Sequence, residues 1–106
     1  MNILFCYLYR YSVHIKEYHE LVFTNTKQLP LSVIEAIITN HLTAGMYFIP
    51  DLWQLPNLCY AAGHLSTPPY HEFVQVKALA ANTPTEGDIA LLLHTIQLQA
   101  AVHNVQ

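Results

Sequence analysis

The fold turns on one stretch, "ILFCYLYRYSV", residues 3–13. Its odd positions are Ile3, Phe5, Tyr7, Tyr9, Tyr11 and Val13, all β-formers. Its even positions are Leu4, Cys6 and Leu8, until Arg10 breaks the run. Side chains alternate across a strand, so this segment is apolar on both faces. Such a strand lies in the middle of a sheet or is covered by a second chain.

Working outward, Tyr18–Thr24 reads as a second strand, closed by the loop-forming run "TNTKQLP". Ser32 and Glu35 have the S-x-x-E spacing of a capping box, and Ile34, Ile37, Ile38 and Leu42 follow at helical spacing. Gly45 is the expected stop of that helix. "MYFIP" (46–50) reads as a short third strand ended by Pro50, and Tyr70–Leu79 as the fourth. Between them lies a Pro- and Gly-rich region with the single tryptophan, Trp53, where a lid, a pocket wall or an interface loop is expected. Thr83, Pro84 and Glu86 predict the start of a second helix. That helix carries two apolar stripes: Ile89, Leu92, Leu93 and Ile96, then Leu91, Leu98, Val102 and Val105. One stripe packs on the sheet, and the other needs a partner. The expectation is a single α+β domain over residues 1–106, in β-β-α-β-β-α order, with a mostly antiparallel four-stranded sheet and both helices on one face.

Composition points to association. Of the 106 residues, 53% are hydrophobic and 10% charged, against about 25% charged in ordinary domains. So few charges cover a small monomer poorly, which favours a homo-oligomer, a dimer in the simplest case. The only basic side chains besides histidine are Arg10, Lys16, Lys27 and Lys77, and the formal charge is −3. No basic stripe exists to neutralise a phosphate backbone, so a nucleic-acid partner is not expected. Cys6 and Cys59 make no disulfide framework, which suggests a reducing compartment. The N-terminus lacks the basic region and cleavage site of a signal peptide. No stretch approaches the roughly 20 apolar residues of a membrane span. A cytoplasmic, soluble protein without a membrane partner is expected.

The phrase Tyr-His-Glu-(Leu/Phe)-Val occurs twice, at 18–22 and 70–74. Alternation puts Tyr18, Glu20 and Val22 on one face and His19, Leu21 and Phe23 on the other, and likewise Tyr70, Glu72 and Val74 against His71 and Phe73. Neighbouring His and Glu point apart, so one copy cannot form a metal or acid–base site. Side-by-side strands could bring Glu20 to Glu72, or His19 to His71, and two close carboxylates would have a raised pKa useful in catalysis. The plainer reading is solvated His and Glu at strand edges. Cys59, His64 and His71 match no compact zinc spacing, so no metal and no cofactor is expected. Ser12 and Ser66 sit in no nucleophile elbow, and three glycines make no phosphate-cradling loop. Arg10, among Tyr7, Tyr9, Tyr11 and Tyr18, suits an anionic group or a stacked interface. Its plainer role is to pair with Glu17 or Glu20.

The ordered fragments "YLYR" (7–10), "KEYHELVFTN" (16–25), "LPLSVIEAII" (29–38), "GMYFIP" (45–50), "LPNL" (55–58) and "YHEFVQV" (70–76) together resemble a family of small uncharacterised bacterial proteins. That family has a Y-x-Y-R start, a loop carrying Lys, a G-E-V-V-F-like strand, a helix, an F-I strand, an I-P-x-L turn and an H-E-F strand. The resemblance runs to about Lys77 and sets Arg10, Lys16, Glu20, Pro56, His71, Glu72 and Phe73 on the family pattern. "YSVHIKE" (11–17) departs from the family's Asp- and Asn-containing loop, and His19 replaces a Gly. The resemblance implies no activity.

Two functions follow as expectations. The first is a non-enzymatic interaction or ligand-binding module using Arg10, Lys16 and Trp53. The alternative is a small hydrolase-type enzyme with Glu20, His71 and Glu72 as acid–base candidates and Arg10 holding an anion. A nucleic-acid or toxin-type role stands third.

Overall fold

The computed structural model describes residues 1–10, 12–58, 70–80, 84 and 86–104. Tyr11, Cys59, His64, Ser66, Thr83 and Val105 therefore lie outside the described residues. Four strands form one sheet: β1 (Asn2–Arg10), β2 (Lys16–Phe23), β3 (Tyr47–Phe48) and β4 (His71–Leu79). The sheet order is β2-β1-β4-β3, and every neighbouring pair is antiparallel. The helices are α1 (Leu31–Asn40) and α2 (Ile89–Asn104), with a 3-10 turn at Pro50–Trp53. The chain thus has the α+β class and the element order that its periodicities predict.

β1 is central because it is apolar on both faces. Its odd residues Ile3, Phe5, Tyr7 and Tyr9 join the core with Leu21, Phe23, Val76, and Ile34 and Ile38 of α1. Ile89, Leu92, Leu93 and Ile96 of α2 enter the same core, so both helices cover one face of the sheet. The even residues Leu4, Cys6 and Leu8 are also buried but lie outside that cluster, on the opposite face with Val22. Among the described residues no helix or strand packs over that face. Leu91, Leu98 and Val102, the second stripe of α2, are exposed.

Several boundaries differ from the sequence expectation. β1 stops at Arg10 rather than Val13, because residues 12–14 turn the chain: the Ser12 N–H donates to the Ile15 carbonyl and the His14 N–H to Ser12 Oγ. The Ser32–Glu35 capping box does not form, since Pro30 occupies the cap position and Ser32 is already helical. The Asn25 side chain fixes this entry, accepting from the Leu29 N–H and donating to its carbonyl. α1 ends at Asn40, and Gly45 (φ +70°) serves the following turn into β3 instead. Pro84 and Glu86 precede α2, whose first residue is Ile89. The cap is Asp88, with Oδ2 accepting from the Ala90 N–H at 3.1 Å. Its Oδ1 accepts from the Thr24 hydroxyl and from the Thr26 N–H and hydroxyl, each at 2.9 Å. One carboxylate thereby ties the end of β2 to the start of α2.

Candidate functional site

β4 carries a bulge that decides where the repeated phrase points. Cys6 faces Gln75 while Tyr7 faces Phe73, so Val74 is an extra residue on β4. Val76 points into the core, and strict alternation from it would send Glu72 inward as well. The bulge reverses the phase: His71 and Phe73 turn to the helices, and Glu72, opposite Leu8, turns to the other face.

With that reversal the two phrases become equivalent on either side of β1. His19 stands opposite Tyr7 with the rings 5.6 Å apart and nearly perpendicular. His71 approaches the same Tyr7 ring at 5.8 Å and the Tyr9 ring at 5.0 Å. The repetition is one packing solution used on both neighbours of β1. His71 is fully buried rather than a solvated edge residue, and its Nε2 accepts the Leu58 N–H at 3.1 Å. That bond fixes a neutral ring with its proton on Nδ1. The Tyr7 hydroxyl donates to the Pro56 carbonyl at 2.6 Å, and burial, with Glu86 adding, holds the phenol far above its ordinary pKa.

The carboxylates lie on the other face and do not meet. Glu20 is opposite Cys6 on β2, whereas Glu72 is on β4 and bound to Arg10. The Arg10 Nε donates to Glu72 Oε2 at 2.8 Å and Nη2 to Oε1 at 3.3 Å. Arg10 thus pairs with neither Glu17 nor Glu20. The hydrogen bond and charge of Glu72, followed by Tyr47 and Tyr18, raise the Arg10 pKa further. Lys16 lies over the Tyr18 ring at 5.5 Å, and the Tyr47 and Tyr70 rings are 6.2 Å apart. The result is an apolar floor (Leu4, Cys6, Leu8, Val22) with a charged, tyrosine-lined rim at the Arg10 end. Burial raises the Cys6 thiol pKa, Glu20 adds to it and Lys77 opposes it, so the thiol is a packing group.

Trp53, expected among the ligand-binding residues, is buried and stacked on Phe48 at 4.6 Å and 13°. With Leu55 and Leu58 it anchors the stretch after β3 in the core, so this part of the irregular region is structural. Its ring also borders a cleft of about 350 Å³ shared with His41, Tyr70 and Gln99. Among the described residues, no three His, Cys, Asp or Glu side chains are arranged to hold a metal. No described helix is long and apolar enough to cross a membrane. No family model, curated protein or solved structure matches this chain. The family resemblance drawn from motif order therefore lends it no function.

Sequence reasoning missed Glu72 as the partner of Arg10, because a bulge of one residue leaves no mark in an alternating strand. It also missed Asp88, although "GDIALLL" (87–93) shows an acidic cap before an apolar run.

Proposed function

We propose that the chain is a non-enzymatic binding module that works as a homo-oligomer in a reducing, cytoplasmic setting, with the exposed tyrosine and arginine side chains at the Arg10 end of the sheet as its contact surface. The observation that carries this reading is the exposed cluster of Tyr18, Tyr47 and Arg10, set over the buried Leu4, Cys6, Leu8 and Val22. Exposed tyrosines beside an arginine are side chains enriched at protein-binding surfaces. The exposed stripe of α2 adds to the apolar surface left over. The acid–base candidates stand apart, with Glu72 held by Arg10 on one face and His71 by Leu58 on the other, and Glu20 across β1 opposite Cys6, which favours the binding reading over the hydrolase one. Light scattering tests the reading: a molar mass of about twice the 12.1 kDa of one chain is expected. A value of one chain at every accessible concentration overturns it.

A further inference from the structure

β2 is an edge strand, and the free part of its edge is short and patterned. Its far end is closed. The Glu86 N–H donates to the Val22 carbonyl, the Thr24 N–H to the Gly87 carbonyl and the Ile89 N–H to the Thr24 carbonyl. Those bonds also set the phase. Val22 and Thr24 turn their backbone groups away from β1, so by alternation Lys16, Tyr18 and Glu20 do so as well. Among the described residues nothing pairs with the backbone of these three. An edge of this kind is a template for another strand.

We propose that a second copy of this chain adds there, β2 against β2 antiparallel, about a two-fold axis at Tyr18. This deepens the homo-oligomeric part of the reading above and rests on it. Charge complementarity selects both the occupant and the register. With the axis at Tyr18, Lys16 faces Glu20 of the second copy, Glu20 faces its Lys16, and the two Tyr18 residues face each other. Each of these facing pairs exchanges both backbone bonds. Their side chains all lie on the face turned away from the helices, so oppositely charged ends flank an aromatic pair. Ile15 (59% exposed) comes opposite Leu21 of the second copy, covering apolar surface at the hairpin. A slip toward the hairpin would set Glu17 against Glu17. A slip the other way would set Lys16 against Val22, whose carbonyl is already taken. The pairing joins two four-stranded sheets into one of eight strands and makes the two faces turned away from the helices continuous.

The test is the dimer dissociation constant, by sedimentation, of the full chain and four variants. Lys16→Glu and Glu20→Lys each place like charges opposite and are expected to weaken the dimer about tenfold. The double variant Lys16→Glu/Glu20→Lys restores the opposition and is expected to recover most of the loss. Tyr18→Pro removes an outward N–H, which edge strands tolerate, and leaves the ladder to β1 intact. It is expected to abolish the dimer while circular dichroism stays unchanged. A dimer indifferent to all four variants, or a double variant as weak as the singles, overturns this inference and leaves the homo-oligomeric reading standing. A wild-type chain that never dimerises overturns both.

Discussion

The Leu58 backbone N–H donates to Nε2 of His71 across 3.1 Å, where the imidazole has no exposed surface. A sheet residue thereby satisfies a backbone donor far along the chain, at Leu58. The same ring packs against Tyr7, Tyr9 and Phe48. A histidine chosen as an acid–base candidate thus serves as a structural acceptor.

That role predicts an asymmetric mutational response. His71→Leu keeps an apolar side chain but leaves the Leu58 N–H buried and unpaired, which costs about 1–3 kcal/mol. His71→Gln offers a side-chain carbonyl and is expected to lose less. Urea unfolding followed by Trp53 fluorescence measures both. Equal losses would show that ring packing, not the hydrogen bond, is what His71 contributes.

Asp88 predicts the acid limb of stability. Burial pushes its carboxyl upward, but hydrogen bonds from the Thr26 and Ala90 backbones and the Thr24 and Thr26 hydroxyls outweigh it. The net pKa lies below the ordinary 3.8. A carboxylate with a lowered folded pKa contributes its full stabilisation above the unfolded value and loses it as pH falls through the folded one. Asp88→Ala is expected to cost about 1 kcal/mol at neutral pH through the lost cap. As pH falls through the lowered folded pKa and the wild-type carboxyl is itself protonated, the difference should shrink. Thermal melts of both proteins from neutral pH down to about pH 2 follow this directly.

How much of this was legible beforehand differs by element. β1 could be read as either central in the sheet or covered by a second chain because Ile3 to Leu8 are apolar at every position, and its pairing with both β2 and β4 shows it central. The buried stripes, Ile34 with Ile38 and Ile89 with Leu92, Leu93 and Ile96, were legible because helical periodicity records burial directly. The caps were not, since Ser32 and Pro30 compete for one start and Asn25 decides between them from outside the helix. The Arg10–Glu72 pair was illegible for a different reason. Its geometry needs both the pairing of β1 with β4 and the bulge at Val74, and neither is a local property of the chain.

The Arg10–Glu72 pair predicts a salt response. Its arginine is 42% exposed and its glutamate 16%, so the attraction is partly open to screening. Raising salt to about 1 M shortens the screening length to ~3 Å and should remove much of it. Arg10→Gln should lower the urea midpoint slightly at low salt and leave it nearly matched to wild type at high salt. A gap that persists at high salt would assign the effect to packing of the arginine stem rather than to charge.

Trp53 predicts a core response rather than a binding one. Stacked on Phe48 and buried, it should emit in the blue-shifted range of an apolar site and shift red on unfolding. Trp53→Ala should cost about 3–5 kcal/mol. Trp53→Phe should cost less, because it keeps an aromatic face against Phe48.

The most direct measurement is backbone amide exchange at Lys16, Tyr18 and Glu20, resolved by residue, at protein concentrations above and below dissociation. In one chain these amides point away from β1 and no described group accepts them. Self-pairing predicts that all three are protected at high concentration and exchange rapidly on dilution, while Leu21 and His19 stay protected throughout. Rapid exchange at Lys16, Tyr18 and Glu20 in a solution shown to be dimeric would contradict the account.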